Sequence, residues 1–180
     1  MSCFISTGLT FQCSDGLGGI KKIYVVGGSA TAEITGYTYD AEGSITGATS
    51  TSGTKLLGFD VKRNTSSFVQ TVTKSFENSS VFFEGVLTVV FYKYDEEKRN
   101  ILEALSQNDQ LQIIAIDQND VQYMVGQVNG AYLSGGDANS GTALGDGNKM
   151  TFIFSSQEPT PSRVIQGALG TVFTGATIVN

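Results

Sequence analysis

The stretch from Val81 to Tyr94, reading VFFEGVLTVVFYKY, limits what this chain can fold into more than any other. Its β-branched and aromatic residues favour an extended strand, in which successive side chains point to opposite faces. One face then carries Phe82, Val86 and Val90, and the other Phe83, Leu87, Val89 and Phe91. Both faces are apolar and both need cover, which points to a layered β protein or to a strand covered by a second subunit.

The rest of the chain has a matching texture. Glycine, serine and threonine make up about a third of the 180 residues, with valine, isoleucine, phenylalanine and tyrosine grouped between them. Strands are predicted at Ile20–Val26, at Thr31–Tyr39, around Leu56, Leu57, Phe59 and Val61, at Phe68–Phe76 and at Val81–Tyr94. Further strands are predicted at Leu111–Ile116, Val121–Val125 and Asn129–Leu133, and around Met150, Phe152 and Phe154. Phe68, Val72 and Phe76 have helical spacing, but the β-branched Val69, Thr71, Val72 and Thr73 favour a strand there. Asp117–Asp120 has the residues of a tight turn. The one predicted helix runs from Asp95 to Ser106, with Asp95 as cap, acids in the first turn and Ile101, Leu102 and Leu105 as its apolar stripe.

These elements predict an all-β fold, a β-sandwich or barrel with one flanking α-helix, in a single β domain over residues 1–180. Three segments fall outside the strand pattern. Residues 40–54 read as an exposed mobile loop whose one sizeable apolar side chain is Ile45, and Ser134–Gly147 reads as a glycine-rich loop. Residues 164–180 form a C-terminal arm with no charge beyond Arg163, too apolar for a free tail, and so expected to dock on another surface. Removing the arm from Val164 onward is expected to leave the β domain folded. The candidate contact residues are Ile45, Phe82, Phe83, Val86, Val90, Val164, Ile165, Val172, Phe173 and Ile178.

Composition removes many functions. With no histidine, neither a Ser-His-Asp nor a Cys-His site can be built, and a histidine metal site or general base is excluded. Eleven basic against 17 acidic residues give a net charge of −6, which argues against a phosphate-binding surface. Cys3 and Cys13 are expected as free thiols, no basic-then-apolar leader precedes Asp15, and no apolar run is long enough to span a membrane. Asp137-Ala138-Asn139-Ser140-Gly141 lacks the glutamate of a calcium loop, and Gly16-Leu17-Gly18-Gly19 precedes a strand, unlike a nucleotide-binding turn. No residue is assigned to catalysis, to a metal or to a cofactor. A non-enzymatic protein that contacts copies of itself is the expectation. A monomeric β-sandwich module for carbohydrate or receptor binding is the alternative, weakened by the absence of tryptophan.

Two stretches carry a family resemblance. Cys13-Ser14-Asp15-Gly16-Leu17-Gly18-Gly19 leading into Ile20-Lys21-Lys22-Ile23-Tyr24 resembles the opening of tailed-bacteriophage virion structural proteins of the tail tube type. Gly141-Thr142-Ala143-Leu144-Gly145-Asp146-Gly147-Asn148-Lys149-Met150-Thr151-Phe152-Ile153-Phe154, followed by Glu158-Pro159 and Pro161, is similar to their closing strand. The resemblance implies a small β-sandwich or barrel with one flanking helix, whose copies form stacked rings, commonly hexameric, around a conduit for DNA ejection. It further implies a virion tail location after assembly in the host cytoplasm, and no membrane insertion. Tape measure, terminator, baseplate or hub proteins would be partners, with double-stranded DNA in transit but not specifically bound. Terminator, hub and ring proteins of the tail share the fold and stay open as alternatives.

Overall fold

The computed structural model describes residues 16–28, 32–93 and 95–180. Its elements in chain order are β1 (Ile20–Gly27), β2 (Ile34–Tyr39), β3 (Ile45–Ser50), β4 (Lys55–Asp60), β5 (Ser67–Ser75), β6 (Ser80–Tyr92) and α1 (Glu96–Ser106). There follow β7 (Ile113–Asp117), β8 (Gln122–Val125), β9 (Ala131–Asn139), β10 (Lys149–Glu158), β11 (Val164–Ile165), the single turn α2 (Leu169–Val172), β12 (Phe173–Thr174) and β13 (Thr177–Val179). The fold is all-β with a flanking helix, as expected, and α2 is an addition. Cys3, Cys13 and Thr31 lie outside the described residues.

Two sheets share the work. Sheet A runs β12-β3-β11-β8-β7-β1-β4-β13, with β2 added on β3, and sheet B is the antiparallel order β5-β6-β10-β9. The central strands of sheet A, β1 and β7, are nearly continuous apolar runs because both of their faces are buried. Ile23, Val25, Ile113 and Ala115 face sheet B and meet Leu87, Val89, Phe152 and Phe154 in a first core. The alternate residues Tyr24, Val26 and Ile114 face a second core with Ile34, Ile45, Leu56 and Met124.

The second core is closed by the C-terminal segment, and this corrects the expectation of an arm. β11 lies between β3 and β8, β12 extends the sheet beyond β3, and β13 extends it beyond β4 at the opposite end. Thr174 of β12 and Thr177 of β13 are three residues apart, so their Cα atoms lie within about 11 Å and the two ends of sheet A meet. Gly175 makes that bend at φ +92, a conformation that L side chains resist. Ile165, Leu169, Val172 and Phe173 are buried in the second core. Burying four such side chains contributes about 6–12 kcal/mol, as much as a whole domain's net stability of about 5–15 kcal/mol. The segment is core, and the domain without it is not expected to stay folded.

Two predicted loops are strands. Within 40–54, Ile45–Ser50 forms β3, with Ile45 wholly buried. Gly47 and Ala48 interrupt the β pattern there; β3 pairs with its neighbour β2 and also with β11 and β12, which come from far along the chain. Within Ser134–Gly147, β9 continues to Asn139. A Cβ on Gly136 would stand 2.3 Å from the Thr151 carbonyl oxygen, so the glycine permits the strand's approach and does not mark a loop. The strand predicted at Phe68–Phe76 is β5, which ends at Ser75 and leaves Phe76 in the turn, and β8 pairs with β7 as the expected hairpin, from Ile113 with Val125 to Ile116 with Gln122. The Asp117 carboxylate accepts the N–H groups of Asn119 and Val121, both at 2.8 Å, and so braces that turn.

Helix α1 begins where its sequence says it should. Asp95 accepts the Lys98 N–H at 3.0 Å as N-cap and also pairs with the Lys98 ammonium. The side-chain hydrogen bond from Lys98, then that backbone bond, holds the Asp95 carboxyl below its ordinary range. Leu102 and Leu105 rest against the rim of the first core, yet no residue of α1 is fully buried.

Candidate functional site

Sheet B is where the molecule is left open. In β6 the odd residues Leu87 and Val89 point into the first core and the even residues point away from it. Strand pairing carries the outward face across the sheet through Val69 opposite Val86, Thr151 opposite Val90, Ile153 opposite Thr88 and Asp137 opposite Thr151. Phe82, Val86, Val90 and Ile153 on this face are half-buried, Val69 is 55% exposed, and none belongs to either buried cluster. Among them the face carries two acids, Glu84 and Asp137, and Lys149 at its end.

Both lateral edges of the sheet are also open. Among the described residues strand β5 pairs only with β6, and β9 pairs only with β10 beyond Ala131, which bridges to Leu111. The outer backbone groups of both strands have no sheet partner among the described residues, a condition natural proteins cover, blunt or use. Near its turn the β5–β6 hairpin leaves Val72, Phe76 and Val81 exposed, with the Lys74 ammonium 5.0 Å from the centre of the Phe76 ring. The sequence reading placed Phe76 at a strand end and missed its exposure, because which part of a hairpin overhangs depends on the length of the opposite sheet.

The carboxylates mostly brace turns. Asp40 accepts the Ser44 N–H at 2.7 Å, and Asp146 accepts those of Thr142 and Ala143 at 2.9 and 2.7 Å, which lowers the Asp146 pKa. Glu158, at the end of β10, is 4% exposed. Its oxygens accept the N–H groups of Val128 at 3.2 Å and of Asn129 at 3.1 Å. Burial nonetheless pushes its carboxyl above the ordinary value, against the pull of those two donors. Burial likewise raises the phenols of Tyr37 and Tyr123, and Tyr37 is held by the side chain of Gln112, which also bonds both backbone groups of Ile34. No group of three or more acidic or sulfur ligands gathers among the described residues, and none of their helices is long and apolar enough to cross a membrane.

The structure divides the candidate contact residues. Phe82, Val86 and Val90 lie together on the outer face of sheet B, with Phe83 on the inner face of the same hairpin. Ile45, Ile165, Val172 and Phe173 are buried in the second core, which corrects their assignment to a contact between subunits. Val164 pairs with Tyr123 inside sheet A, and Ile178 pairs with Leu56 at its end with 37% of its surface exposed. No family model matches the chain, and no curated protein matches it.

Proposed function

We propose that this chain is a structural subunit that assembles with copies of itself through sheet B, and that the assembly is the tail tube of a tailed-phage virion. The observation that carries the first half is the pair of open edges on one sheet. Adding β5 of one copy to β9 of the next satisfies both rows of backbone groups and repeats the same contact around a ring. The outer face of sheet B then forms one wall of the ring, with its apolar residues Val86, Val90 and Ile153 continued by those of the neighbours. The second half rests on the resemblance of the two flanking stretches to tail tube proteins.

In such a ring the face carrying Glu84 and Asp137 would line the conduit, where two acids against one lysine repel phosphate and let DNA pass without sticking. The tape measure, terminator and baseplate or hub proteins would be the partners at the ends of the tube. Negative-stain electron microscopy of the purified chain over a concentration series tests the reading. Rings or tubes of one diameter are expected. A 19.1 kDa monomer at every concentration contradicts it and favours a monomeric binding module.

A further inference from the structure

We infer that a polar cavity at one end of sheet A binds a neutral saccharide, at a site separate from the open edges of sheet B and independent of the self-assembly reading. The cavity lies where β1 and β8 end and β7 begins. It holds about 550 Å³, within the ~300–1,000 Å³ of ordinary ligand sites. Its polar lining consists of five carboxamides, Asn108, Gln110, Gln112, Gln127 and Asn129, and one carboxylate, Glu33. No lysine or arginine lines it among the described residues.

The walls are fixed by the chain's own bonds. Gln112 is 9% exposed, and its side-chain oxygen accepts the Ile34 N–H at 2.8 Å while its amide nitrogen donates to the Ile34 carbonyl at 3.1 Å and the Tyr37 hydroxyl at 3.2 Å. The turn from Gly126 to Gly130 is closely packed. A Cβ on Gly126 would stand 2.4 Å from the Ala131 nitrogen, and one on Gly130 2.6 Å from the Gln110 Cα. Glu158 braces the same turn by accepting the Val128 and Asn129 N–H groups.

Three of the other amides are each held at one end and open at the other. Asn108 Oδ1 accepts the Gln110 N–H at 2.9 Å, Gln127 Nε2 donates to the Tyr39 hydroxyl at 2.8 Å, and Asn129 Nδ2 donates to the Gln157 carbonyl at 2.6 Å. Asn108 Nδ2, Gln127 Oε1 and Asn129 Oδ1 have no partner among the described residues, and neither do the Gln110 amide and the Glu33 carboxylate. Polar groups oriented before a ligand arrives lose little entropy in binding it.

This set selects by chemistry. Carboxamides offer donors and acceptors together, which suits hydroxyl groups, each of them donor and acceptor at once. A phosphate or carboxylate ligand would meet Glu33 with no lining cation to offset the repulsion. Arg163 does not line the cavity; its guanidinium donates to the Gly43 carbonyl at 2.6 Å and lies over the Tyr39 ring. An ammonium ligand could use the oxygens but would leave the free amide donors of Asn108 and Gln110 unmatched. Polar groups spread around the cavity call for hydroxyls on several sides of one ligand, as a sugar ring carries them, and Val26 and Val128 supply apolar surface for its carbon face. No aromatic ring lines the cavity, so recognition rests on hydrogen bonds and needs no tryptophan.

Saturation-transfer nuclear magnetic resonance on the full chain tests the inference. The probes are glucose, galactose, mannose and N-acetylglucosamine, free and as disaccharides, with spermidine as the ammonium probe. The signal is read on the probe, so monomer and assembly are tested alike, and a chain that never assembles leaves the inference standing. Transfer onto at least one saccharide is expected. Glu33→Ala and Gln110→Ala remove exposed side chains that bond nothing in their own chain, so Tm should hold while affinity for that saccharide falls roughly tenfold in each. Glu77→Ala, at an exposed acid of the β5–β6 turn, should bind as the native protein does. A free sugar and the end of a surface glycan present the same hydroxyls, and comparing the free sugar with immobilised glycans that end in it distinguishes the two sources. Transfer onto no saccharide, transfer onto spermidine alone, or saccharide binding undiminished in both Glu33→Ala and Gln110→Ala would overturn the assignment.

Discussion

Sheets A and B differ in how completely their own chain satisfies them. The central strands of sheet A are buried on both faces, and the sheet's two ends are brought together by Thr174 and Thr177. Sheet B has one buried face, two edges without a sheet partner among the described residues, and a hairpin that overhangs at its tip. A chain that builds a closed sheet with a 17-residue C-terminal segment yet leaves the other open has divided its labour: sheet A supplies stability, and sheet B supplies contact. The same residue types do both jobs, so position in the layers, and not hydrophobicity, decides which side chains are core and which are surface.

The sharpest way to break this comparison is to remove residues 164–180. Loss of four buried side chains worth about 6–12 kcal/mol is expected to abolish the cooperative thermal transition and the β circular dichroism signal; a truncated chain that still melts cooperatively would show that sheet A closes without them. Next in size, Phe173→Ala is expected to cost about 3–5 kcal/mol, while Val86→Ala on the open face should cost under ~1 kcal/mol in the monomer. Equal losses at the two positions, measured by urea unfolding, would erase the distinction between the layers.

A charge at Leu105 sharpens the boundary between core and rim. Leu105→Asp is expected to destabilise by about 1–3 kcal/mol, because α1 only half-buries that side chain and water can reach part of the new carboxylate. An unchanged Tm would mean that the helix adds nothing to the first core. The smallest effect is a pH dependence from Glu158. Its folded-state pKa is raised, so the folded protein holds the proton more tightly than the unfolded chain. The stability it contributes is full below the ordinary value of 4.5 and is lost as pH rises through the higher folded-state value. Glu158→Gln keeps an acceptor for Val128 and Asn129 and removes the charge, so its stability should vary less with pH above 4.5 than the native protein's. Urea midpoints that fall in parallel for both proteins would place the titration elsewhere.

What could be read from the sequence followed local pattern. The strands at β1 and β7, the two-sided run at β6, the capped helix after Asp95 and the turn at Asp117–Asp120 all announce themselves through neighbours in sequence, and the all-β class followed from them. β3 and the strands of residues 164–180 could not be read in this way. They are short, contain glycine and alanine or a charge-free mixture, and are tied together by pairings between distant parts of the chain, such as Ile45 with Ile165, beside the local pairing of β3 with β2. The candidate surface was half legible. Phe82, Val86 and Val90 stood out as a second apolar face of a strand already covered on the first. The open edges and the exposed Phe76 depend on strand order and on how far one sheet outreaches the other, and neither quantity is encoded in a local window.

Hydrogen exchange, compared between dilute monomer and assembled protein, tests the central claim most directly. Amides of β5 over Ser67–Ser75 and of β9 from Tyr132 to Asn139 are expected to gain protection on assembly, because their open edges acquire hydrogen-bond partners, while those of β1 and β7 stay as slow as in the monomer. Assembly that protects segments of sheet A and leaves β5 and β9 exchanging as before would contradict it.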